Sequence, residues 1–315
     1  MSVNNHGSPR YCPSVTTPRH QLIDPEQPLF YHLVSRCVRK SWLCGRDRRT
    51  RKDYTHRKTW LIQRLHQLAK AFPVEVHAYA IMSNHFHLVV FYDPLAAQSW
   101  SDREVATRWL VACPIKARDG SIDRQKLCER VTTLSEDPQR IAQLRQRLGS
   151  LSVFMQLLKQ PIARRANLED QCLGHFFEQR FYSGALMSEA AIHAAMAYVD
   201  LNPIRARIAQ SIASCEHTSV AERLRGGDAK NLLDEALTPL VSGLEGERPL
   251  TLSFRDYLLY LETLIPQIDA PASKPNRWQQ QMALLKKHQR VYGPLEAIRD
   301  WVNQRGMQLR EQPLT

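Results

Sequence analysis

The chain has 315 residues, 43% hydrophobic and 8% aromatic, with 43 Lys+Arg against 31 Asp+Glu for a net charge of +12. No run approaches the roughly 18 apolar residues of a membrane span, and the polar, proline-dotted start is unlike a signal peptide, so the reading is a cytoplasmic protein with no membrane contact. The seven cysteines are scattered without a CxxC pair, which excludes a disulfide framework or zinc knuckle and leaves reduced thiols.

The charge is uneven. Residues 1–60 carry 12 basic and 4 acidic side chains, whereas residues 211–315 carry 13 of each. Arginine outnumbers lysine 32 to 11, which favours forked phosphate contacts and points to nucleic acid.

In chain order, residues 1–27 read as a disordered basic arm with prolines at 9, 13, 18 and 25. Residues 30–38 (FYHLVSRCV) alternate as a strand, and residues 53–71 place Trp60, Leu61, Leu65, Leu68 and Ala69 at helical spacing before Pro73. Two further strands, 74–82 and 85–92, meet at Ser83-Asn84, a two-residue turn. Residues 93–149 are polar and read as an insertion of one or two surface helices. Residues 150–167 form an amphipathic helix that Pro161 should kink. A strand over 175–186 and a helix over 188–201, N-capped by Ser188, complete a domain of residues 28–210. Residues 211–315 read as a helical C-terminal extension. The order predicts an α+β fold: an antiparallel sheet with helices on one face.

The sharpest local feature is Met82-Ser83-Asn84-His85-Phe86-His87. Strand residues i and i+2 share a face, so His85 and His87 stand about 7 Å apart at the backbone, with both imidazoles able to converge on one divalent cation. Imidazole alone does not choose the metal, and magnesium accepts it only with oxygen co-ligands. The plainer reading is two half-buried histidines hydrogen-bonded at a strand start.

The segment AYAIMSNHFHLVV (78–90) resembles the core of the HUH endonucleases, and in particular the REP-associated tyrosine transposases. PLFYHLVSRCVRK (28–40) is similar to that family's first strand and basic turn, GHFFEQRFYSG (174–184) to its G-H-x-F-x-G-R-F-x-S strand, and AYVDLNPIRARIA (197–209) to its closing helix. The resemblance implies a ferredoxin-like sheet and Mg²⁺ or Mn²⁺ on His85 and His87. It further implies cleavage and rejoining of single-stranded or hairpin DNA through a 5′-phosphotyrosyl link, in a nucleoid-associated protein compatible with a homodimer. Arg36, Arg39, Lys40, Arg48, Arg49, Arg51, Lys52, Arg164, Arg165, Arg180 and Arg205 are the expected phosphate contacts. Asn167 is the candidate third metal ligand, with helix capping as its alternative role.

One departure matters. Where the family carries its tyrosine, the run LKQPIARRAN (158–167) has Ile162, and no tyrosine occurs between Tyr92 and Tyr182. Three explanations stand: Tyr182 has become the nucleophile, the metal activates water, or the chain is a non-catalytic hairpin-binding protein. Tyr79 would qualify only if a longer loop shifted its register.

Overall fold

Six segments pair into one sheet: Leu29–Arg36 (β1), Val74–Ile81 (β2), His85–Tyr92 (β3), Tyr182–Leu186 (β4), Val241–Ser242 (β5) and Val291–Tyr292 (β6). They are seen in a computed structural model that describes residues 17–38, 44–47, 51–115, 121–178, 180–226, 233–246, 248–268, 277–287 and 289–307. The order across the sheet is β5-β2-β3-β1-β4-β6. Every pairing is antiparallel except that of β4 with β6, so the sheet is mixed. Met82 N donates to His85 O at 2.8 Å and closes the Ser83-Asn84 turn as a two-residue hairpin. That register sets Ala80 opposite His87 and Tyr79 opposite Leu88, so Tyr79 points away from the histidine pair.

The helices are Arg19–Leu22 (α1), His56–Ala69 (α2), Ala96–Ser99 (α3), Asp102–Ala112 (α4), Arg124–Ser135 (α5), Pro138–Leu148 (α6), Leu151–Glu169 (α7), Glu189–Asp200 (α8), Asn202–Arg205 (α9), Ser219–Arg225 (α10), Phe254–Leu264 (α11), Arg277–Lys287 (α12) and Leu295–Gln304 (α13). They cover both faces of the sheet, not one. On the first face, Tyr31, Leu33, Phe86 and Leu88 pack against Leu61 and Leu65 of α2 and Phe154, Leu158 and Ile162 of α7. On the second, Ala78, Ala80 and Val89 pack against α8 and against Tyr257, Leu261 and Leu285 of α11 and α12. Each Leu, Ile, Val or Phe side chain so removed from water contributes roughly 1.5–3 kcal/mol, and each alanine methyl less. A bulge decides which strand residues serve which face. The β2–β3 ladder shifts between Val76 and Ala78, so His77 is an extra residue and the alternation flips beyond it. Val74 and Val76 therefore face α2, while Ala78 and Ala80 face α8.

α7 runs through Pro161 as one helix. Pro161 has no N–H for the carbonyl of Leu157, and Arg64 Nε of α2 donates to that carbonyl at 3.1 Å instead. Arg57, fully buried on α2, pairs with Glu169 at 2.9 Å and Asp170 at 2.6 Å, tying the two helices at their ends.

Three boundaries differ from the sequence reading. Residues 17–27 are folded, because Pro18 precedes α1 and Asp24 accepts from the backbone of Glu26 and Gln27, both at 2.9 Å. The described residues of 93–149 supply four helices, α3–α6, whose Val105, Leu110, Leu144 and Leu148 join the first core. The C-terminal segment is not a separate helical extension: β5 and β6 add a strand at each edge, and α10–α12 roof the second face. Among the described residues no helix is long and apolar enough to cross a membrane.

Candidate functional site

His85 and His87 lie on the second face, at the end of β3 nearest the hairpin. His87 pairs across the ladder with Val34, and His85 with Arg36. Arg36, Asn84 and His85 are half-buried at the mouth, while His87, His32 and Val34 form a buried floor. The rings of His85 and His87 are 4.8 Å apart, edge to face. His85 Nδ1 lies 2.6 Å from Asn84 Oδ1. That oxygen only accepts, so the His85 proton sits on Nδ1 and Nε2 keeps its lone pair. His87 Nδ1 lies 3.0 Å from Nε2 of His32. When His87 is the donor in that pair, its Nε2 is likewise a lone-pair donor, the arrangement by which outer partners orient metal-binding imidazoles.

α8 closes the site from above. Tyr198 sets its ring edge-to-face on His87 at 5.5 Å and on His32 at 5.8 Å. The Arg205 guanidinium covers that same ring at 4.3 Å. Sequence reasoning did not single out His32, Asn84 or Tyr198. His32 alternates with Val34 and Arg36 on β1, and that period was the one signal available for it.

Tyr182 shares this face. It pairs with Val34 across β1–β4, and its ring meets His32 edge-to-face at 5.8 Å. Its hydroxyl bonds the Gln289 carbonyl and lies 2.7 Å from the Tyr292 hydroxyl. Gly184 makes room for this. A β-carbon there would collide with the Tyr182 hydroxyl and come within 2.6 Å of the Tyr292 ring. Tyr79, on the other face, bonds Glu222.

The α7 candidates are not brought to the histidines. Ile162 is buried in the first core, on the opposite side of the sheet. Asn167, on the same helix, donates to Gly174 O at 2.8 Å, the helix-end role. Arg165 stacks on Trp60 at 3.7 Å, and Arg164 is exposed beside it. The helix that should have flanked the site therefore does not. The reason is that its apolar stripe matches α2 and the first face.

Other candidates fall closer. Arg36 stands at the mouth. Arg180 leads into β4, donating to Thr17 O at 3.1 Å. Arg51 and Lys52 lie on an exposed loop anchored to the hairpin turn, where Cys44 N donates to Ser83 O at 2.9 Å and Tyr54 N to Gly45 O at 3.1 Å. Arg39, Lys40, Arg48 and Arg49 lie outside the described residues.

A comparison with protein-family models finds no match, and neither does a comparison with the curated proteins. Among solved structures, the chain is similar to a REP-associated tyrosine transposase bound to a REP hairpin. The TM-score is 0.37 and the identity 10%, over 63% of this chain and 81% of that one.

Proposed function

We propose that this protein binds single-stranded or hairpin DNA and cleaves and rejoins it at the second face of a ferredoxin-like sheet. The observation that carries this reading is the cross-strand row Tyr182–Val34–His87–Ala80, running over β4, β1, β3 and β2. Strands lie about 4.8 Å apart, so the Cα atoms of Tyr182 and His87 are separated by roughly 10 Å. The row sets a phenol and an imidazole on one face, with the buried Val34 side chain between them.

Among the described residues, no group of three His, Cys, Asp or Glu is placed to hold a metal. His85 and His87 would hold a divalent cation, Mg²⁺ or Mn²⁺, through Nε2 when Nδ1 of His87 donates to His32. Such an ion would supply charge neutralisation at a non-bridging phosphate oxygen. Asn84 and His32 orient the imidazoles, while Arg36 and Arg205 bind flanking phosphates. Tyr182 then attacks phosphorus: its proton passes to solvent water, a Tyr–O–P bond forms, and the P–O3′ bond breaks as the 3′ oxygen takes a proton from water. The ester stays conserved, so a second 3′-OH can reverse the step without ATP.

One observation favours a second reading, a hairpin-binding protein without catalysis. The Tyr182 hydroxyl is engaged by Gln289 and Tyr292, so attack requires its release. The deciding experiment is incubation with a 5′-labelled and a 3′-labelled hairpin oligonucleotide plus Mn²⁺, followed by denaturing electrophoresis. A protein-linked label lost in His87→Ala supports cleavage. Intact DNA with retained binding supports the second reading.

A further inference from the structure

A second concentration of positive charge lies beside Tyr182, where three distant segments meet. Arg19 of α1, Arg180 before β4 and Arg290 before β6 line a pocket of about 220 Å³, together with Phe181, Tyr182 and Ser183. No carboxylate lines it among the described residues. Arg19 is held in place: it donates to Phe181 O at 3.0 Å and to Ser183 Oγ at 3.2 Å, and its guanidinium lies 3.8 Å from the centroid of the Phe181 ring. The Arg19 pKa is pushed down to about 10, first by burial and then by the charge of Arg180. Arg180 donates to Thr17 O at 3.1 Å and Arg290 to Met307 Sδ at 3.3 Å, so both side chains are anchored at the rim. The charge of Arg180 beside the half-buried Arg19 is a cost that a bound anion would offset. On the far side of Arg19 and Phe181 opens a cleft of about 530 Å³, bordered by Lys159, Gln156 and Gln160 of α7.

We propose that Arg19, Arg180 and Arg290 form a phosphate-binding pocket that grips a phosphodiester of a single nucleic-acid strand as it runs from the Lys159 cleft past Tyr182. Planar guanidiniums match phosphate oxygens with paired, charge-assisted hydrogen bonds. The pocket stands on these three side chains. Only the source of its phosphate, a DNA strand, rests on the function proposed above. Because the arginines come from segments far apart in sequence, the pocket exists only when the N-terminal turn and the C-terminal edge strand are both docked on β4.

The test uses the full chain and the variants Arg180→Gln and Arg290→Gln, with Arg140→Gln, on the exposed side of α6, as control. Arg19 is left intact because it packs on Phe181, and circular dichroism checks that each variant keeps the wild-type melting curve. Inorganic phosphate is titrated by calorimetry, and a fluorescent single-stranded oligonucleotide by anisotropy at several salt concentrations. Each pocket variant is expected to weaken phosphate binding by about tenfold, a single charge-assisted contact. Each should also flatten the slope of log K against log[salt] by about 0.7, and Arg140→Gln should do neither. Weakened phosphate binding with an unchanged DNA slope would overturn the strand as its source and assign the pocket to a free phosphate or nucleotide. No phosphate binding and no change in slope would overturn the pocket itself while leaving the histidine site untouched. Phosphate binding by a wild-type chain that binds no DNA would support the pocket and refute the DNA reading.

Discussion

Tyr182 and His87 face Val34 from opposite sides, one across the β1–β4 ladder and the other across β1–β3. A strand sheet fixes such a row more firmly than a loop could, because each member is held by backbone bonds to its neighbour. If the phenolic oxygen is the nucleophile, Tyr182→Phe removes the covalent adduct and leaves DNA affinity within about twofold, since the ring still packs on His32. The same substitution deletes a hydroxyl that bonds Gln289 and Tyr292, at a stability cost of about 1 kcal/mol. Electrophoresis of the labelled complex and a urea titration read the two effects separately. An adduct that survives in the variant rules Tyr182 out.

The partnership of His32 with His87 predicts a different phenotype. Replacing His32 with Phe keeps an aromatic ring against Tyr198 but removes the nitrogen that orients His87. Loss of such an outer partner typically costs 10–100-fold in metal affinity. Mn²⁺ titration followed by electron paramagnetic resonance should show that drop, alongside a lower melting temperature because the buried Nδ1 of His87 loses its His32 partner. Equal affinity in wild type and variant would mean that the histidines do not hold the ion through this arrangement.

Gly184 tests whether the C-terminal edge belongs to the site. With φ outside the left-handed region, alanine is tolerated by the backbone there, so the penalty comes from the collision with Tyr182 and Tyr292. Gly184→Ala should cost about 1–3 kcal/mol by overpacking and should also displace the Tyr182 hydroxyl. Pairing it with Tyr292→Phe, which keeps the ring, should not restore stability, because the Tyr292 ring carbon is itself one of the clashing atoms.

Much of this arrangement could be read from the residues, for identifiable reasons. The hairpin of β2 and β3 announced itself through strict alternation and a Ser-Asn turn, and Ser188 announced α8 by accepting from Ala191 N at 3.2 Å. The edge strands Val241–Ser242 and Val291–Tyr292 are two residues long, too short for any period to register. The C-terminal third reads as helical but not as a layer on the sheet, because its mostly polar composition hides narrow apolar stripes, such as Phe254, Tyr257 and Leu261 on α11. In the site, spacing alone paired His85 with His87. His32 and Tyr198 come from other elements, and only the β1–β3 pairing and the docking of α8 bring them in. Ile162 shows the converse error, since its place in a motif said nothing about which face its helix would cover.

Asp200 joins α8 to the roof of the second face. Its carboxylate accepts from Ser219 Oγ, from Val220 N at 3.0 Å and from Tyr257 OH at 2.7 Å, all buried. Asp200→Ala strands these donors without water and should destabilise the protein by about 3 kcal/mol. Because α8 carries Tyr198, the variant should also lose part of its DNA affinity. A urea midpoint equal to that of wild type would show that solvent reaches the cluster.

Acid stability follows from three histidines kept neutral by the fold. Burial is the first cause of a lowered pKa at His77, His193 and His217. Glu75 opposes the shift at His77 and Arg223 adds to it, while Lys58 and Arg225 add to it at His217 and Glu216 opposes. In the unfolded chain each histidine takes up a proton as pH falls through about 6.5, whereas in the folded chain it does so only at lower pH. Below about 6.5 the unfolded state thus binds more protons, and stability declines with falling pH; above that value the contribution is fully present. Asp200, whose carboxyl pKa burial raises, has the opposite sign. From its unfolded value near 4 up to its raised folded value the native state holds the extra proton, so it works against the histidine trend, one group against three. Urea midpoints at about pH 7.5 and about pH 5.5 should therefore differ, with the lower value at acid pH. His77→Gln removes the most deeply buried of the three and should narrow that difference even if it lowers both midpoints. A gap of unchanged width would mean that His77 protonates without penalty and that Glu75, not burial, governs it.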